Sequence, residues 1–140
     1  MAIFHFKMQL ISRSHGRSAT AAAAYRGGYA IEDERTGRSF DYTRRGGVLD
    51  DTILAPKRAP EWARDGEKLW NQVELKERRR DAQVARENVV ALPHELSFEQ
   101  NRELLHEFVQ DAYVRRGMAA QVSMHGPGRD GDHRNVHAHI

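Results

Sequence analysis

The chain contains no cysteine among its 140 residues. That excludes disulfides, a thiolate-ligated metal site and a thiol nucleophile, and it fits a reducing cytoplasm. Only four prolines and 8% aromatic residues are present. No apolar run approaches the ~20 residues that a membrane-spanning helix needs, so no membrane insertion is expected. The opening Met1-Ala2-Ile3-Phe4-His5-Phe6 lacks the basic start and long apolar core of a secretory signal. What is there, 39% hydrophobic and 30% charged residues, suits one water-soluble domain large enough to bury a core.

The formal net charge is only +2, but the arginines are unevenly placed. Arg13, Arg17 and Arg26 lie in the first segment, Arg44 and Arg45 in a loop-like stretch, and Arg78, Arg79 and Arg80 in a third cluster. Such clusters neutralise phosphates, which makes a nucleic acid a plausible partner. The third cluster sits in the mixed-charge run Glu74 to Asp81 and reads as a solvated helix face.

Alternation over residues 3–11 predicts a first strand with Phe4, Phe6, Met8 and Leu10 on its core face. Ser18 is placed to cap an alanine-rich helix running to about Arg26, and Gly27-Gly28 to end it. Residues 29–58 read as an irregular arm with short extended pieces around Phe40 and Val48. Pro60 opens a long amphipathic helix through Trp62, Leu69, Trp70, Val73 and Ala82. Residues 88–92 read as a buried strand. Ser97 caps a second long helix with Leu104, Leu105, Phe108, Val109 and Ala112 on its buried stripe. Two strands follow. This order predicts an α+β layer, helices against a mainly antiparallel sheet.

The densest chemical signal is His137-Ala138-His139-Ile140 at the end of the sequence. In a strand, His137 and His139 project from one face, with Val136 and Ala138 on the other. His125 follows a strand-like run over residues 119–124, and turn residues fill the interval from Gly126 to Asp132. A hairpin there brings His125 against His137 and His139. Three neutral imidazoles would bind a divalent cation and leave positions open for a substrate. His133, inside the loop, is the rival third ligand, less well fixed than a strand residue.

Tyr25 stands at the C-terminal end of the alanine-rich helix. A phenol acts as a nucleophile when deprotonated or aligned, and a phosphodiester is the natural electrophile beside a hard cation. Ala19 and Ala21 to Ala24 let a bulky polymer approach closely, while Arg13, Arg17 and Arg26 would hold neighbouring phosphates. Phe40, Tyr42, Arg44 and Arg45 in the arm offer surfaces for stacking on unpaired bases.

These residues carry a resemblance. The opening Met1 to Phe6, Ile11 to Ala19 and Ala22 to Arg26 are similar to MobA/MobL-type plasmid relaxases, including the relaxase part of TraA conjugal transfer proteins. Asp41 to Arg44, Ala59 to Trp62, Leu69 to Asn71 and Ala91 to Leu96 continue the likeness, and the three histidines complete it. The family belongs to the HUH endonucleases. It implies a palm-like five-stranded antiparallel sheet flanked by helices, and Tyr25 attacking a scissile phosphate at a plasmid transfer origin. The product is a 5′-phosphotyrosine link that is later reversed to rejoin the strand. The resemblance also implies Mg²⁺ or Mn²⁺ on His125, His137 and His139, with Zn²⁺ a further candidate from residue type. Single-stranded DNA, accessory relaxosome proteins and a coupling protein are the implied partners.

Two departures stand out. Where the family often carries two acids in the strand before its Ala-Leu-Pro, this sequence has Glu87 and Val89. Only Glu87 is left to orient a metal ligand or take a proton. The sequence also stops directly after the histidine pair, and residues 1–140 are expected to be the N-terminal nicking domain of a longer protein, lacking the C-terminal part of the fold. Two other readings remain: a metal-dependent nuclease that uses water, needing the histidines but not Tyr25, and a non-enzymatic module for single-stranded DNA.

Overall fold

A computed structural model describes residues 5–128 and 131–140. The strands are β1 (Phe6–Ser12), β2 (Ala30–Asp33), β3 (Arg38–Asp41), β4 (Val48–Leu54), β5 (Gln83–Ala91), β6 (Ala120–His125) and β7 (His137–His139). The α-helices are α1 (Ala19–Gly27), α2 (Gly66–Lys76) and α3 (Phe98–Ala112). Five strands form one antiparallel sheet in the order β1-β5-β7-β6-β4, and β2 and β3 form a separate hairpin. The α+β architecture expected from the sequence is therefore present.

The two faces of the sheet differ in chemistry because residues alternate across it. Val122, Met124 and Ala138 point to the α3 side and pack with Leu105 and Val109. The facing residues of β6, Gln121, Ser123 and His125, point to the α1 side and are buried with their polar groups. Ile11, Ala19, Ala82 and Val84 form a second cluster there, joined by Trp70 and Val73 of α2. A cavity of about 570 Å³ reaches between β5 and β6, lined among others by Val84, Glu87, Ala120, Gln121 and Ile140.

Local chemistry sets the helix ends. The Ser18 side chain accepts a hydrogen bond from the Ala21 N–H and starts α1. Gly28, at φ +70°, takes the left-handed conformation that turns the chain out of it. Ser97 and Gln100 form a reciprocal capping box on α3.

Four expectations need correction. Phe6, Met8 and Leu10 are 40–57% exposed, whereas Ile11 is buried. They lie on the α3 side of β1, the sheet edge, while α3 packs over β6 and β7 and leaves this strip uncovered. Phe4 lies outside the described residues. The arm is more regular than expected, since it contains the β2–β3 hairpin and β4, an edge strand of the main sheet. The long helix from Pro60 is a short 3-10 turn (Glu61–Arg64) followed by α2, which ends at Lys76, so Arg78, Arg79 and Arg80 lie in a loop rather than on a helix face. On α3, Leu105 and Val109 are buried but Leu104 and Phe108 are more than 40% exposed.

Candidate active site

The hairpin forms as expected: β6 pairs antiparallel with β7, and His125 stands directly opposite His137. The strand β7 is itself central, paired with β5 on its other edge so that His139 faces Val89. All three imidazoles project to the α1 side, with ring centroids 4.8–5.4 Å apart. One ligand nitrogen from each ring can be chosen so that the three lie within 4.8 Å of one another. The His137 and His139 Nδ1 atoms are buried without a hydrogen-bond partner. An unpaired buried nitrogen is costly unless something satisfies it. At His137 a cation accepting the lone pair does so, while the His139 Nδ1 faces the Glu87 carboxylate and leaves Nε2 as that ring's lone-pair donor. The donor set thus fits a divalent metal. His133 is exposed on the loop and stands apart from this group.

Burial, only partly offset by a hydrogen bond to the backbone of Arg26, holds the His125 imidazole down at about 4. Burial and the neighbouring His139 also lower His137. Both rings are therefore neutral near pH 7, the form that donates a lone pair. The His125 Nε2 lies 2.8 Å from the Arg26 carbonyl oxygen. A carbonyl only accepts, so Nε2 carries the proton and Nδ1 keeps the lone pair.

That same hydrogen bond ties the histidines to the end of α1, one residue beyond Tyr25. The Tyr25 side chain is 41% exposed. Its ring meets Tyr42 edge-on at 5.2 Å, and the Arg45 guanidinium lies 4.0 Å from its centroid. Arg45 also donates to the Tyr25 carbonyl oxygen at 2.6 Å. The phenol is held on its two flanks yet open to solvent.

Glu87 is buried on the same side of the sheet. Its Oε1 lies 3.7 Å from the His139 Nδ1, and Arg26 grips both carboxylate oxygens at 2.8 and 3.0 Å. Gln9 donates a further bond at 2.6 Å. Burial alone would raise this carboxyl, but His139, Arg26 and Gln9 outweigh it and hold the group well below the usual carboxylate range. It is a fixed negative charge beside a potential ligand.

The arginines divide. Arg17 lines an open groove, Arg45 stacks on Tyr25, and Arg44 is exposed. Arg26 is committed to Glu87. Arg13 corrects an expectation: its side chain is 8% exposed, with donors spent on the Glu74 carboxylate and on the carbonyls of Glu74, Glu77 and Arg79. It buttresses the 77–79 loop and has nothing left for a phosphate.

Comparison with known proteins places this arrangement. Residues 17–140 match the MobA/MobL family. This chain belongs to that family. It is 41% identical over its whole length to the conjugal transfer protein TraA of Rhizobium radiobacter, of which it covers 13%. It is 46% identical, over 91% of its length, to the mobilization protein MobL of Acidithiobacillus ferridurans, of which it covers 33%. A solved structure concerned with the molecular basis of vancomycin resistance transfer in Staphylococcus aureus superposes on 99% of the chain. It has a TM-score of 0.89 and 33% identity, and the chain covers 68% of it. The chain thus spans between about an eighth and a third of the length of these two sequence relatives.

In this MobA/MobL chain a polar network escaped the sequence reading. The Gln121 Oε1 accepts from the Tyr29 hydroxyl (3.0 Å) and the Trp70 indole N–H (2.6 Å), while its Nε2 donates to the Ala23 carbonyl and to Asp51. Asp51 also accepts from Ser123, and burial still pushes its carboxyl up. The signal was available: Gln121 and Ser123 share the period-two face of His125. The network fastens α1, two residues before Tyr25, to the strand that carries His125. Gln121→Leu strands several of these partners, and we expect a loss of ~3 kcal/mol, measured by denaturant unfolding.

Proposed function

We propose that the chain is the nicking domain of a DNA relaxase, acting on single-stranded DNA at a plasmid transfer origin in the cytoplasm. The carrying observation is the 2.8 Å contact between His125 and the Arg26 carbonyl, which fixes the Tyr25 end of α1 against the three histidines. Family membership and the relatives named for conjugal transfer and mobilization support the same reading.

In this reading Tyr25 is the nucleophile. Its phenol gives up its proton to solvent and the oxygen attacks the scissile phosphorus, the P–O3′ bond breaks, and the departing 3′ oxygen takes a proton from solvent. The DNA is left joined to Tyr25 through its 5′ phosphate. The free 3′-hydroxyl, or that of another strand, reverses the step, so the activity includes strand transfer. His125, His137 and His139 would hold Mg²⁺ or Mn²⁺, with Zn²⁺ also suited to imidazoles. Such an ion supplies positive charge to the non-bridging phosphate oxygens as negative charge builds on them. Glu87 orients His139, Arg26 holds Glu87, and Arg45 with Tyr42 fixes the tyrosine ring. Accessory relaxosome proteins and a coupling protein complete the assembly.

Glu87→Gln keeps the shape but removes the charge. It is expected to weaken Mn²⁺ binding by about 10–100-fold, the usual effect of losing a ligand's orienting partner, as read by isothermal calorimetry. The nicking reading itself is tested with single-stranded DNA from the protein's own replicon, Mn²⁺ and a denaturing gel. A chelator-sensitive protein–DNA adduct is expected. Cleavage without any adduct would favour a water-using nuclease, and tight binding without cleavage a DNA-binding module.

A further inference from the structure

A groove of about 610 Å³ runs from Tyr25 along α1, away from the histidines' sheet, between the β2–β3 hairpin and the loop at 79–80. One wall is α1, through Ser18, Ala21, Ala22 and Tyr25. From Ser18 to Tyr25 the helix rises about 10 Å, and the two alanines leave that wall free of bulky side chains. The other walls carry Arg17, Arg35, Arg38, Arg79 and Arg80, with Phe40 among them.

The charge inside is one-sided. Arg17, Arg38 and Arg80 have no carboxylate partner among the described residues, while Arg35 reaches Glu74 at 3.3 Å and Arg79 pairs with Asp81. The acidic residue in the lining, Asp33, is fully buried, and its carboxylate accepts from Thr20 and Thr36. Arg13 explains how the loop is held: its guanidinium grips the Glu77 and Arg79 carbonyls and anchors them to buried Glu74. The Arg38 guanidinium lies over the Phe40 ring, 5.6 Å from its centroid, and that ring packs against the Ala23, Ala24 and Ile31 cluster, which fixes Arg38 on the groove wall. A trough of free guanidiniums beside a wall of small side chains suits a single nucleic-acid strand with its phosphates on the arginines.

We infer that this groove holds the single-stranded DNA flanking one side of the bond attacked by Tyr25, with Arg17, Arg38 and Arg80 as its phosphate contacts. The inference rests on the nicking function proposed above. It assigns a role to Arg80 of the cluster at 78–80, which mixed charge in the sequence presents as an ordinary solvated surface.

The test compares Arg17→Ala/Arg38→Ala/Arg80→Ala with Arg58→Ala/Arg115→Ala/Arg116→Ala, equal in charge loss but outside the groove. Anisotropy of a labelled single-stranded oligothymidine is followed over a salt titration, with thermal melting to check folding. The groove variant is expected to bind at least about tenfold more weakly and to flatten the plot of log affinity against log salt by about 2, for three lost phosphate contacts. Equal affinity and slope in the two variants would overturn the groove, and an adduct still formed by the unmodified protein would leave the nicking reading standing. The expected loss in the groove variant, with no adduct from the unmodified protein on its transfer-region DNA, would overturn the nicking reading and keep a DNA-binding groove.

Discussion

Tyr25→Phe is expected to abolish the covalent protein–DNA product and lower strand cleavage by at least about 10³-fold. The substitution removes one oxygen and little else. The Tyr25 ring keeps its edge-on contact with Tyr42 and its place under Arg45, and the Arg45 bond to the backbone carbonyl does not involve the hydroxyl. No hydrogen bond to that hydroxyl holds the fold among the described residues, and Tyr25 is 41% exposed. Stability and affinity for single-stranded DNA should therefore stay near the unmodified values. A denaturing gel, an anisotropy titration and a melting curve separate these quantities. Cleavage that survived in the variant would assign the attack to water.

His139→Ala is expected to have the second largest effect, removing one of the three proposed metal ligands. His139 sits 7% exposed between β5 and β6, opposite Val89 and Ser123. Losing a ligand should exceed the 10–100-fold loss of affinity typical of losing its orienting partner. Thermal shift gives a readout independent of activity. At about 100 times its dissociation constant, Mn²⁺ should stabilise the unmodified protein by about 2.7 kcal/mol. The variant should gain almost nothing, and chelator should remove the gain from the unmodified protein. An equal shift in both proteins would place the metal elsewhere.

The histidine hairpin was legible because two local rules coincide there. Period-two alternation put His137 and His139 on one face, and the turn-rich interval returned the chain to His125. Ser18, Ser97 and Gly28 were legible as helix ends because their signals depend on neighbours in sequence. The Phe6, Met8 and Leu10 face is exposed for a reason that local pattern does not carry. Alternation tells that two faces differ, but which one is covered depends on how far α3 reaches across the sheet. Arg13 and Arg80 show the same limit for charge. The sequence holds both in basic clusters, yet tertiary structure buries one guanidinium against Glu74 and leaves the other open to the groove. Of the two roles open to Glu87, the surrounding Arg26, Gln9 and His139 favour orientation, because a carboxyl held well below its usual range is a poor proton acceptor.

The most direct test of a tyrosine-linked mechanism is mass spectrometry of the protease-digested adduct formed on transfer-region single-stranded DNA with Mn²⁺. The expected result is a nucleotide attached through its 5′ phosphate to the peptide containing Tyr25, together with a DNA product ending in a free 3′-hydroxyl. Attachment at Tyr42 or another residue, or products carrying a free 5′ phosphate with no modified peptide, would contradict it.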